Sequence, residues 1–583
     1  MEEQLVLGID AGGTHTDAVL LECSGISAGK TLPRARLLAA VKVKTRHENL
    51  TASVREVLAA LAAEAPKGIL SRISRVTLGA TLAVNALVQD RVDPVGLILS
   101  AGPGLNPGRW RLGEYVCLLS GGLDHRGVEV VPLRTEGLAG ILEQWRGDGV
   151  SAVACVGKFS PRNAAHEQAM AEAVRAVCDL PITLGHRLSG RLNFPRRVAT
   201  AFFNAAVERL HNDFLNAVEQ ALSDVGIQAA VRLLKADGGA VPLSLSRQEP
   251  VQSILSGPAA SVMGVLALDD GDDALRRCCL LLDMGGTTTD IALFVNGSPV
   301  VDRDGMRLKG RRTLVRSLAS LSIGVGGDSR LEVTQANGKT CVHVGPLREG
   351  PAMAFGGDRA TLLDAFNVCN AGDGTDSTAG DIAASTRGMT ALASQHGMEP
   401  EALARLAVEN AFVQVAEAVS QLTAGINARP IYTLAALKAV REAQPESVKL
   451  VGGPAGCVAN RLSSFLKLPV TTPAHADVAN AVGAALTLPT DALELYVDTG
   501  RRSLDVPMLD LHERIDKNFG VEAASERARQ LLRERLTGAN VAEAHVEVTE
   551  ADVFATLDDH GYGSRDIRVT CQVVPGIAAM LAD

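Results

Sequence analysis

Aromatic residues and clustered positive charges are both scarce in this sequence. Phe, Trp and Tyr make up 3% of the 583 residues, and the net charge of −9 at pH 7 includes no continuous basic tract. Proteins that bind nucleic acid usually carry basic surfaces or aromatic side chains on which bases stack. The composition therefore argues against nucleic acid as a main partner.

Long apolar runs and paired cysteine motifs are also missing. No segment reaches the roughly 18 consecutive apolar residues of a membrane helix. The opening "MEEQLVLGID" lacks the basic flank and long apolar stretch of a signal peptide. The ten cysteines form no CxxC motif. We therefore expect a cytoplasmic protein with no membrane partner, whose cysteines are buried and reduced.

Hydrophobic residues and glycine are, by contrast, abundant. The 46% hydrophobic content suits a large buried core, and the 57 glycines suit close packing and tight loops. A chain of this length is expected to fold into several domains.

Two nearly identical octapeptides stand far apart in the chain. They read "DAGGTHTD" (Asp10–Asp17) and "DMGGTTTD" (Asp283–Asp290), and they agree at six of eight positions. Aliphatic runs flank both, so each predicts the bend of a β-hairpin with an Asp at the end of the incoming strand. Paired glycines let backbone N–H groups approach phosphate oxygens, threonine hydroxyls add donors, and a strand-end carboxylate can hold Mg²⁺ through its waters.

A single copy of this motif could be an ordinary tight hairpin. Its duplication instead indicates two related domains that face one nucleotide from two sides. Another stretch, "GISAGKT" (Gly25–Thr31), looks like a P-loop, but only three residues separate its two glycines where that motif requires four. We interpret it as a surface turn.

A third glycine motif, "GGPAG", follows the strand-like "VKLV" near residue 452 and precedes a predicted helix. Its glycines fit a backbone that passes close to a ring or a phosphate, with a plain tight turn as the alternative. The later helix "ADVANAVGAAL" carries the small residues Ala479, Ala481, Gly483 and Ala484. They predict close packing against another helix, either at a hinge between lobes or in a core.

Together, these motifs resemble the superfamily of ATP-binding proteins that contains actin, the sugar kinases and the heat-shock chaperones. Within it, further stretches resemble the hydantoinase A/oxoprolinase family, in that family's order, from residue 5 to about residue 487. They are "GATLAVNAL" (Gly79–Leu87), "KFSPRNAAHE" (Lys158–Glu167), "GHRLSGRLNFPRRVATAFFNA" (Gly185–Ala205), "DGGAVPL" (Asp237–Leu243) and "SGPAASVMG" (Ser256–Gly264).

The resemblance implies an α/β fold in which duplicated, ribonuclease H-like ATPase domains flank a nucleotide cleft. We expect an N-terminal ATPase lobe over residues 1–190, a second ATPase lobe over 191–490 and a small C-terminal α+β unit over 491–583. In the last unit, "ASERARQLLRERLTGAN" predicts an amphipathic helix, and "AHVEVTE" and "DIRVTCQVV" predict strands.

The family resemblance also implies an activity. Its members use ATP to activate a small cyclic amide or a ketone-like substrate, through a phosphorylated substrate, for ring opening or carboxylation. It implies ATP and Mg²⁺ as cofactors and a separate B-type subunit as partner, and it leaves homo-oligomerisation open. The alternatives are an ATPase switch that reactivates a protein partner and a simple small-molecule kinase.

The resemblance assigns roles to particular residues. Asp10 and Asp283 hold Mg²⁺ or its waters and act in catalysis, and Gly452, Gly453 and Gly456 flank the adenosine. The phosphates are cradled by Gly12, Gly13, Thr14, Thr16, Gly285, Gly286, Thr287, Thr288 and Thr289.

On the substrate side, the resemblance places Thr81 and Asn85 near the cleft. His186 is assigned to acid–base catalysis, with a hydrogen-bonded structural histidine as the alternative. Arg191, Arg196 and Arg197 either pair with a substrate carboxylate or form a solvated face.

The segment "LASLSIGVGGDSR" departs from the family pattern. Many relatives have Asp-Ile-His before three glycines and a Ser, whereas this chain has no histidine there and carries Asp328 in place of a glycine. We expect the loop to be kept and its chemistry to differ.

Overall fold

The computed structural model describes most of the chain. The described ranges are 4–23, 32–46, 49–88, 90–269, 275–302, 305–336, 339–374, 376–428, 443–516, 518–538, 545–557 and 563–582. Strands and helices are numbered along the chain. The "GISAGKT" stretch lies outside the described residues.

The first octapeptide is the bend between two neighbouring strands of a seven-stranded sheet. β1 (Gln4–Ala11) and β2 (His15–Cys23) run antiparallel, and Asp10 lies opposite Asp17. The spatial order is β11-β10-β4-β1-β2-β3-β29. The other strands are β3 (Arg34–Lys44), β4 (Ile73–Ala80), β10 (Ala230–Leu234), β11 (Ala240–Pro242) and β29 (Met580–Leu581).

The second octapeptide repeats this arrangement in another sheet. β12 (Cys278–Met284) and β13 (Thr289–Val295) pair antiparallel, with Asp283 opposite Asp290. β22 (Ser447–Val451) runs parallel to β12 on its other side, as β4 does to β1. The sheet also contains β14 (Ser298–Pro299), β19 (Ser320–Ile323) and β23 (Val470–Thr471). Both predicted hairpins are therefore confirmed.

A five-stranded sheet is inserted between β4 and the later strands of the first sheet. Its order is β7-β6-β5-β8-β9, and only β7 is antiparallel to its neighbour. The strands are β5 (Val95–Ala101), β6 (Tyr115–Leu123), β7 (Glu129–Val131), β8 (Ala152–Gly157) and β9 (Ile182–Leu184).

The helices surround these sheets. Up to the second octapeptide they are α1 (Leu50–Glu64), α2 (Leu82–Val88), α3 (Leu138–Gly147), α4 (Ala165–Arg175), α5 (Gly185–Leu188), α6 (Phe194–Asp224), α7 (Leu243–Ser246) and α8 (Ser256–Ala267). Beyond it they are α9 (Leu362–Asp373), α10 (Ile382–Gln395), α11 (Pro400–Asn427), α12 (Ala459–Leu466), α13 (Ala479–Leu486) and α14 (Val521–Gly538).

Three two-stranded ribbons follow β13 in the chain. They pair β15 (Val301–Asp302) with β18 (Ser317–Leu318), β16 (Arg307–Leu308) with β17 (Arg311–Arg312), and β20 (Ser329–Ala336) with β21 (Lys339–Arg348).

The C-terminal unit is a five-stranded antiparallel sheet packed on α14. The apolar face of α14, which includes Leu532, shares a core with Leu495 and Ile567 of the sheet. The order is β26-β25-β24-β28-β27. The strands are β24 (Ala492–Asp498), β25 (Ser503–Val506), β26 (Leu511–Arg514), β27 (Val546–Leu557) and β28 (Gly563–Val573).

The sheets do not follow the predicted division at 190/191 and 490/491. β10 and β11 return to the first sheet after the inserted sheet, and β29, from the far end of the chain, closes that sheet beside β3. The folded lobes therefore combine segments from different parts of the sequence, because strand pairing joins residues that are hundreds of positions apart.

The two octapeptide sheets meet through α8 and α13. Val6 and Phe294, one from each sheet, share one buried cluster with residues of both helices. The helices touch at glycines: a Cβ at Gly264 would overlap the carbonyl oxygen of Ala479, and a Cβ at Gly483 would overlap that of Ala260. The small residues of α13 therefore serve close helix packing, as the sequence predicted.

His186 fastens the inserted sheet to the C-terminal unit. Its ring nitrogens lie 2.6 Å from Glu167 Oε2 and 2.7 Å from Asp510 Oδ1, and Arg187 donates to the other Asp510 oxygen. Burial alone would lower the pKa of His186, but the two carboxylates outweigh burial and raise the pKa to about 9. At neutral pH the ring is therefore a cation that donates from both nitrogens.

The remaining composition-based expectations can be compared with the described residues. All ten cysteines are free thiols, nine of them are buried, and Cys341 on β21 is exposed. In the described part of the chain, no helix combines the length and apolarity needed to cross a membrane.

The helix crossing predicts that Gly483→Ala destabilises the protein by about 3 kcal/mol, because the added methyl group meets backbone atoms that cannot yield without a helix shift. The matched control is Gly140→Ala on the exposed side of α3, where nothing lies within 4 Å, and it is expected to be neutral or slightly stabilising. Urea unfolding midpoints compare the two. Equal midpoints would contradict the close crossing.

The His186 network predicts a pH-dependent contribution to stability. The folded-state pKa is raised above the ordinary 6.5, so the stabilisation is complete below about pH 6.5 and is lost as pH rises through about 9. We expect His186→Gln to cost about 3 kcal/mol at neutral pH, because Glu167 is left buried and unpaired. The deficit should shrink at high pH.

His512→Gln is the control for the His186 network, because His512 makes the same kind of contact, to Asp505, with 71% of its side chain exposed. Its expected cost is about 0–1 kcal/mol. Unfolding followed across the pH range distinguishes the two variants. A deficit for His186→Gln that does not change with pH would refute the charged network.

Candidate nucleotide site

The two bends have the same internal geometry and meet at their tips. The Gly12 N–H donates to the His15 carbonyl at 3.1 Å, and the Gly285 N–H donates to the Thr288 carbonyl at 2.9 Å. The hydroxyls of Thr14 and Thr287 lie 3.2 Å apart. Gly13 faces open space, with nothing within 4 Å of a Cβ built there. The two bends therefore share one internal geometry and bring a threonine hydroxyl each to the same place.

The strand-end aspartates lie behind the bends and are held by the crossing helices. Ser261 Oγ of α8 donates to Asp283 Oδ2 at 2.5 Å, and Asn480 Nδ2 of α13 donates to the same oxygen at 3.2 Å. The Asn480 amide also hydrogen-bonds the side chain of Asp10. One amide thus contacts the aspartates of both bends.

Burial makes these carboxylates hold protons more tightly. It raises the pKa of Asp10 to about 7, helped by the charges of Asp17 and Asp283, and it raises the pKa of Asp290 to about 7, helped by Asp283. Burial also raises the pKa of Asp17 to about 6, although Lys42 lies 2.7 Å away and opposes the shift. Several carboxyl groups therefore lie close together where burial disfavours their negative charge, so a proton or a cation that neutralises them is favoured.

Asp10 Oδ1 is buried and has no hydrogen-bond partner. Such an atom suits a cation or its water, and Mg²⁺ commonly takes one or two carboxylates together with waters and phosphates. Within the described part of the chain, no three His, Cys, Asp or Glu side chains are arranged to hold a metal by themselves. The assignment of Asp10 and Asp283 to Mg²⁺ stays a prediction.

The predicted phosphate-cradling threonines fall into two groups. Thr16 and Thr289 are fully buried. They lie at the starts of β2 and β13, the strands that follow the two bends. Thr16 Oγ1 lies 2.9 Å from Thr45 Oγ1, and Thr289 Oγ1 donates to the Val325 carbonyl at 2.6 Å. Their side chains support the bends from behind, whereas those of Thr14, Thr287 and the exposed Thr288 remain at the bends.

The glycine-rich loop in "LASLSIGVGGDSR" lies directly on the second bend. The Gly327 N–H donates to the Gly285 carbonyl at 2.9 Å, and the Asp328 N–H donates to the Gly286 carbonyl at 2.7 Å. A Cβ at Gly286 would lie 2.8 Å from Asp328 Oδ2 and 2.9 Å from Thr14 Oγ1. The Asp328 carboxylate therefore stands beside both bends.

Positive charge surrounds the bends as well. Arg348 Nη2 lies 2.9 Å from Asp328 Oδ2. Partial burial and the charges of Lys42 and Arg348 lower the pKa of His15, at the tip of the first bend, to about 4. Cations at this position suit an anionic ligand such as a nucleotide phosphate.

The third glycine motif lies against the second bend. Gly452 has a φ of 98°, and a Cβ there would lie 2.7 Å from Asp283 Oδ1. A Cβ at Gly453 would meet nothing within 4 Å, and the Gly456 carbonyl accepts from Ser377 Oγ at 2.7 Å. Gly452 therefore lies beside the second bend, and the assignment of the three glycines to adenosine stays a prediction.

The predicted substrate residues follow β4, next to β1. Thr81 Oγ1 donates to the carbonyl of Ala11, the last residue of β1, at 3.2 Å. Asn85 lies in α2. Thr81 therefore lies beside the first bend, and the assignment of Thr81 and Asn85 to the substrate stays a prediction.

His186 does not join this group. It is fully buried, and its side-chain partners are Glu167 and Asp510, of α4 and the C-terminal unit. Because both ring nitrogens are engaged by carboxylates, the structure favours the structural alternative over acid–base catalysis.

Of the three arginines predicted either to bind a carboxylate or to form a solvated face, Arg197 is not at the surface. Arg197 is fully buried and donates to the carbonyls of Gly157 and Lys158, and Arg191 Nε donates to Glu494 Oε1 at 2.8 Å. Burial lowers the pKa of Arg197 to about 10. That expectation was wrong for Arg197, because residue type alone does not show that a long helix such as α6 is packed on several sides.

Sequence reasoning missed Ser261, Asn480 and the Asp328–Arg348 pair as parts of the site. Ser261 and Asn480 each stand three residues before a crossing glycine, Gly264 or Gly483. This shared spacing was the signal that could have revealed them, since residues three apart lie on one face of a helix.

Two protein-family models match this chain. Residues 6–178 match the model for the hydantoinase/oxoprolinase N-terminal region, and residues 197–492 match the hydantoinase/oxoprolinase model. Caprolactamase subunit alpha of Pseudomonas jessenii is 27% identical over 395 residues, which cover 62% of this chain and 54% of that protein. The acetophenone carboxylase gamma subunit of Aromatoleum aromaticum is 24% identical over 406 residues. These cover 62% of this chain and 52% of that protein. The chain spans about half the length of these curated relatives.

Solved structures show the same fold over nearly the whole chain. The crystal structure of ATP-dependent caprolactamase from Pseudomonas jessenii superposes with a TM-score of 0.67 at 21% identity and covers 99% of this chain and 88% of that one. The nucleotide-free structure of acetone carboxylase superposes with a TM-score of 0.66 at 16% identity. It covers 99% of this chain and 89% of that one. The predicted α/β fold with a duplicated hairpin in two sheets is confirmed, and it is the fold of these two solved structures. By its two matching family models, the chain belongs to the hydantoinase/oxoprolinase family.

Proposed function

We propose that this protein is the ATP-binding subunit of an enzyme that activates a small cyclic amide or ketone-like substrate by phosphorylation. The observation that carries the proposal is the meeting of the two bends at Thr14 and Thr287, with Asp10 and Asp283 behind them. One nucleotide bound there would be contacted by both halves of the duplicated fold.

The bends suit the demands of phosphoryl transfer. The transferred group carries charge on several oxygens, and catalysis depends on donors already positioned for them. The N–H groups of Gly13 and Gly286 and the hydroxyls of Thr14 and Thr287 would be such donors. The N–H groups of Gly12 and Gly285 instead hold the two bends closed, through the carbonyls of His15 and Thr288. Mg²⁺ held by Asp10 and Asp283 would neutralise part of that charge. As the bond from the γ-phosphorus to the bridging oxygen breaks, a bond to the substrate's carbonyl oxygen forms and ADP departs.

The relatives support the substrate class. One is an ATP-dependent caprolactamase, whose name denotes a cyclic amide, and others are acetone and acetophenone carboxylases, whose names denote ketones. An amide or enolised ketone oxygen is a poor leaving group, and phosphorylation converts it into a good one. We therefore expect this chain to act on a compound of one of these two classes.

A second subunit forms part of the proposal. The caprolactamase and acetophenone carboxylase relatives are themselves named as subunits. We infer that a B-type subunit completes the reaction after phosphorylation. Homo-oligomerisation stays a prediction.

One test of the proposed function removes the charge of the strand-end aspartates. Asp10→Asn and Asp283→Asn keep the side-chain shape but remove the charge, and each should lower Mg²⁺-dependent ATP hydrolysis by about 100-fold or more. Asp148→Ala, at the exposed end of α3, is the control and should leave hydrolysis unchanged. Phosphate release is measured with and without 5-oxoproline, hydantoins, lactams and small ketones.

The outcomes of this assay separate the candidate functions. Stimulation by a panel compound that is lost in both Asn variants supports the proposal and names the substrate class. ATP hydrolysis that no compound stimulates, with or without a B-type subunit, favours the protein-reactivating switch. A stable phosphorylated product favours a simple kinase. Full activity of both Asn variants would contradict a nucleotide site formed by the two bends.

Another test of the proposed function uses the contact between the two bends. Because the Thr14 and Thr287 hydroxyls are 3.2 Å apart, the Thr14→Cys/Thr287→Cys pair should form a disulfide on oxidation. The cross-link would close the space for the phosphates, so ATP binding should fall at least tenfold and return on reduction. The Cys341→Ser background removes the exposed native thiol.

Each single cysteine variant, oxidised in the same way, is the control for the cross-link. It lacks one threonine hydroxyl but cannot form the disulfide, so its ATP affinity should not change on reduction. Mass spectrometry verifies the disulfide, and calorimetry measures binding. A cross-linked protein that binds ATP with undiminished affinity would show that the phosphates do not lie between the bends.

A further inference from the structure

A second polar site lies along the sheet edge that carries the first bend. The parallel strands β1, β4 and β10 end together, with Ala11 opposite Ala80 and Leu78 opposite Leu233. Ligand sites in parallel sheets lie beyond the carboxyl ends of the strands. The segment that follows β10 begins with Lys235, two strands away from the first bend.

A cavity of about 90 Å³ opens at this point, between the first sheet, the start of α6 and the C-terminal unit. Since a cavity needs only about 10–15 Å³ of such space to hold one water, this one has room for several waters or one small organic molecule. Its charged lining residues are Arg191, Lys235, Asp237, Arg316, Asp491 and Glu494.

Lys235 supplies a buried ammonium group with weak partners. The residue is 7% exposed, and its Nζ lies 3.4 Å from the carbonyl oxygen and the hydroxyl of Thr490 and 3.5 Å from Asp237 Oδ2. Hydrogen bonds from N–H groups are usually close to 2.9 Å. All three contacts are long, so the ammonium has donor capacity to spare.

Arg316 adds a second donor. Its Nε is buried without a hydrogen-bond partner, and the nearest carboxylate oxygen, Asp237 Oδ2, is 4.0 Å away. The guanidinium Nη1 donates to Gln572 Oε1. Buried donors in native proteins are normally satisfied, so an unpaired one at a cavity calls for an acceptor.

The acceptors of the cavity are, in contrast, already engaged. Asp491 Oδ2 accepts from Arg535 Nε at 2.6 Å, and Glu494 Oε1 accepts from Arg191 Nε at 2.8 Å. Asp237 accepts the Gly239 N–H at 3.0 Å and the Thr490 hydroxyl at 3.2 Å. Lys235 and Arg316 thus bring two positive charges to the one carboxylate, Asp237, that they share.

We propose that this cavity binds a small carboxylate, with Lys235 and Arg316 as the donors to its oxygens. Two convergent cations match the two oxygens of a carboxylate better than the single acceptor of a neutral carbonyl. The limited volume selects a short molecule. The site is distinct from the nucleotide-binding bends, and its occupancy does not depend on ATP.

The test is saturation-transfer NMR on the full chain without nucleotide, with acetate, acetamide and benzoate as probes. Acetate should bind, while acetamide, its neutral isostere, should bind at least tenfold more weakly because it lacks the charge. Benzoate should be excluded by size. Lys235→Met and Arg316→Met should each weaken acetate binding at least tenfold.

Lys309→Met is the matched control, because Lys309 is an exposed lysine that pairs with Asp90 at the surface and does not line the cavity. It should leave acetate binding unchanged. Circular dichroism and ATP titration confirm that each variant is folded, so a defect in acetate binding is distinguished from a failure of the nucleotide site.

Several outcomes would overturn the proposal. They are no acetate binding to the wild type, equal binding of acetate and acetamide, or acetate binding that survives in both cavity variants. The wild-type comparison of acetate with acetamide decides the ligand class even if a cavity variant fails to fold.

Discussion

The close crossing of α8 and α13 is the constraint on which the two-sided site depends. Glycines at the contact let the helix backbones touch, and no larger residue fits there without a shift. One helical turn before each glycine stands a polar residue, Ser261 or Asn480, and both reach Asp283. The packing of the lobes and the surroundings of the aspartates are therefore set by the same two helices. A shift of either helix at the crossing would move the hydrogen-bond donors of Asp283.

The duplication supplies matching bends, but the two halves are completed differently. Behind the first bend, Thr16 contacts the side chain of Thr45, whereas behind the second, Thr289 donates to the glycine-rich loop. That loop also brings the carboxylate of Asp328 to the junction of the bends. Unequal halves suit a nucleotide, whose phosphate and adenosine ends make different demands.

Local pattern was enough to predict much of the fold. Aliphatic strands around a Gly-Gly turn produced both hairpins, and the apolar periodicity of "ASERARQLLRERLTGAN" matches α14. The parts that could not be predicted are long-range. The Asp283 contacts span 22 and 197 positions, and the burial of His186 between Glu167 and Asp510 is set by three separate segments. The membership of β10, β11 and β29 in the first sheet has the same cause, since pairing across hundreds of residues leaves no local signal.

The central claim is that one nucleotide is held by both bends at once. Isothermal titration calorimetry of the wild-type chain with Mg²⁺-ATP tests it most directly through the stoichiometry. The account predicts a single site, with one nucleotide bound per chain. Two sites of similar affinity, one for each bend, would contradict the account, and so would the absence of binding.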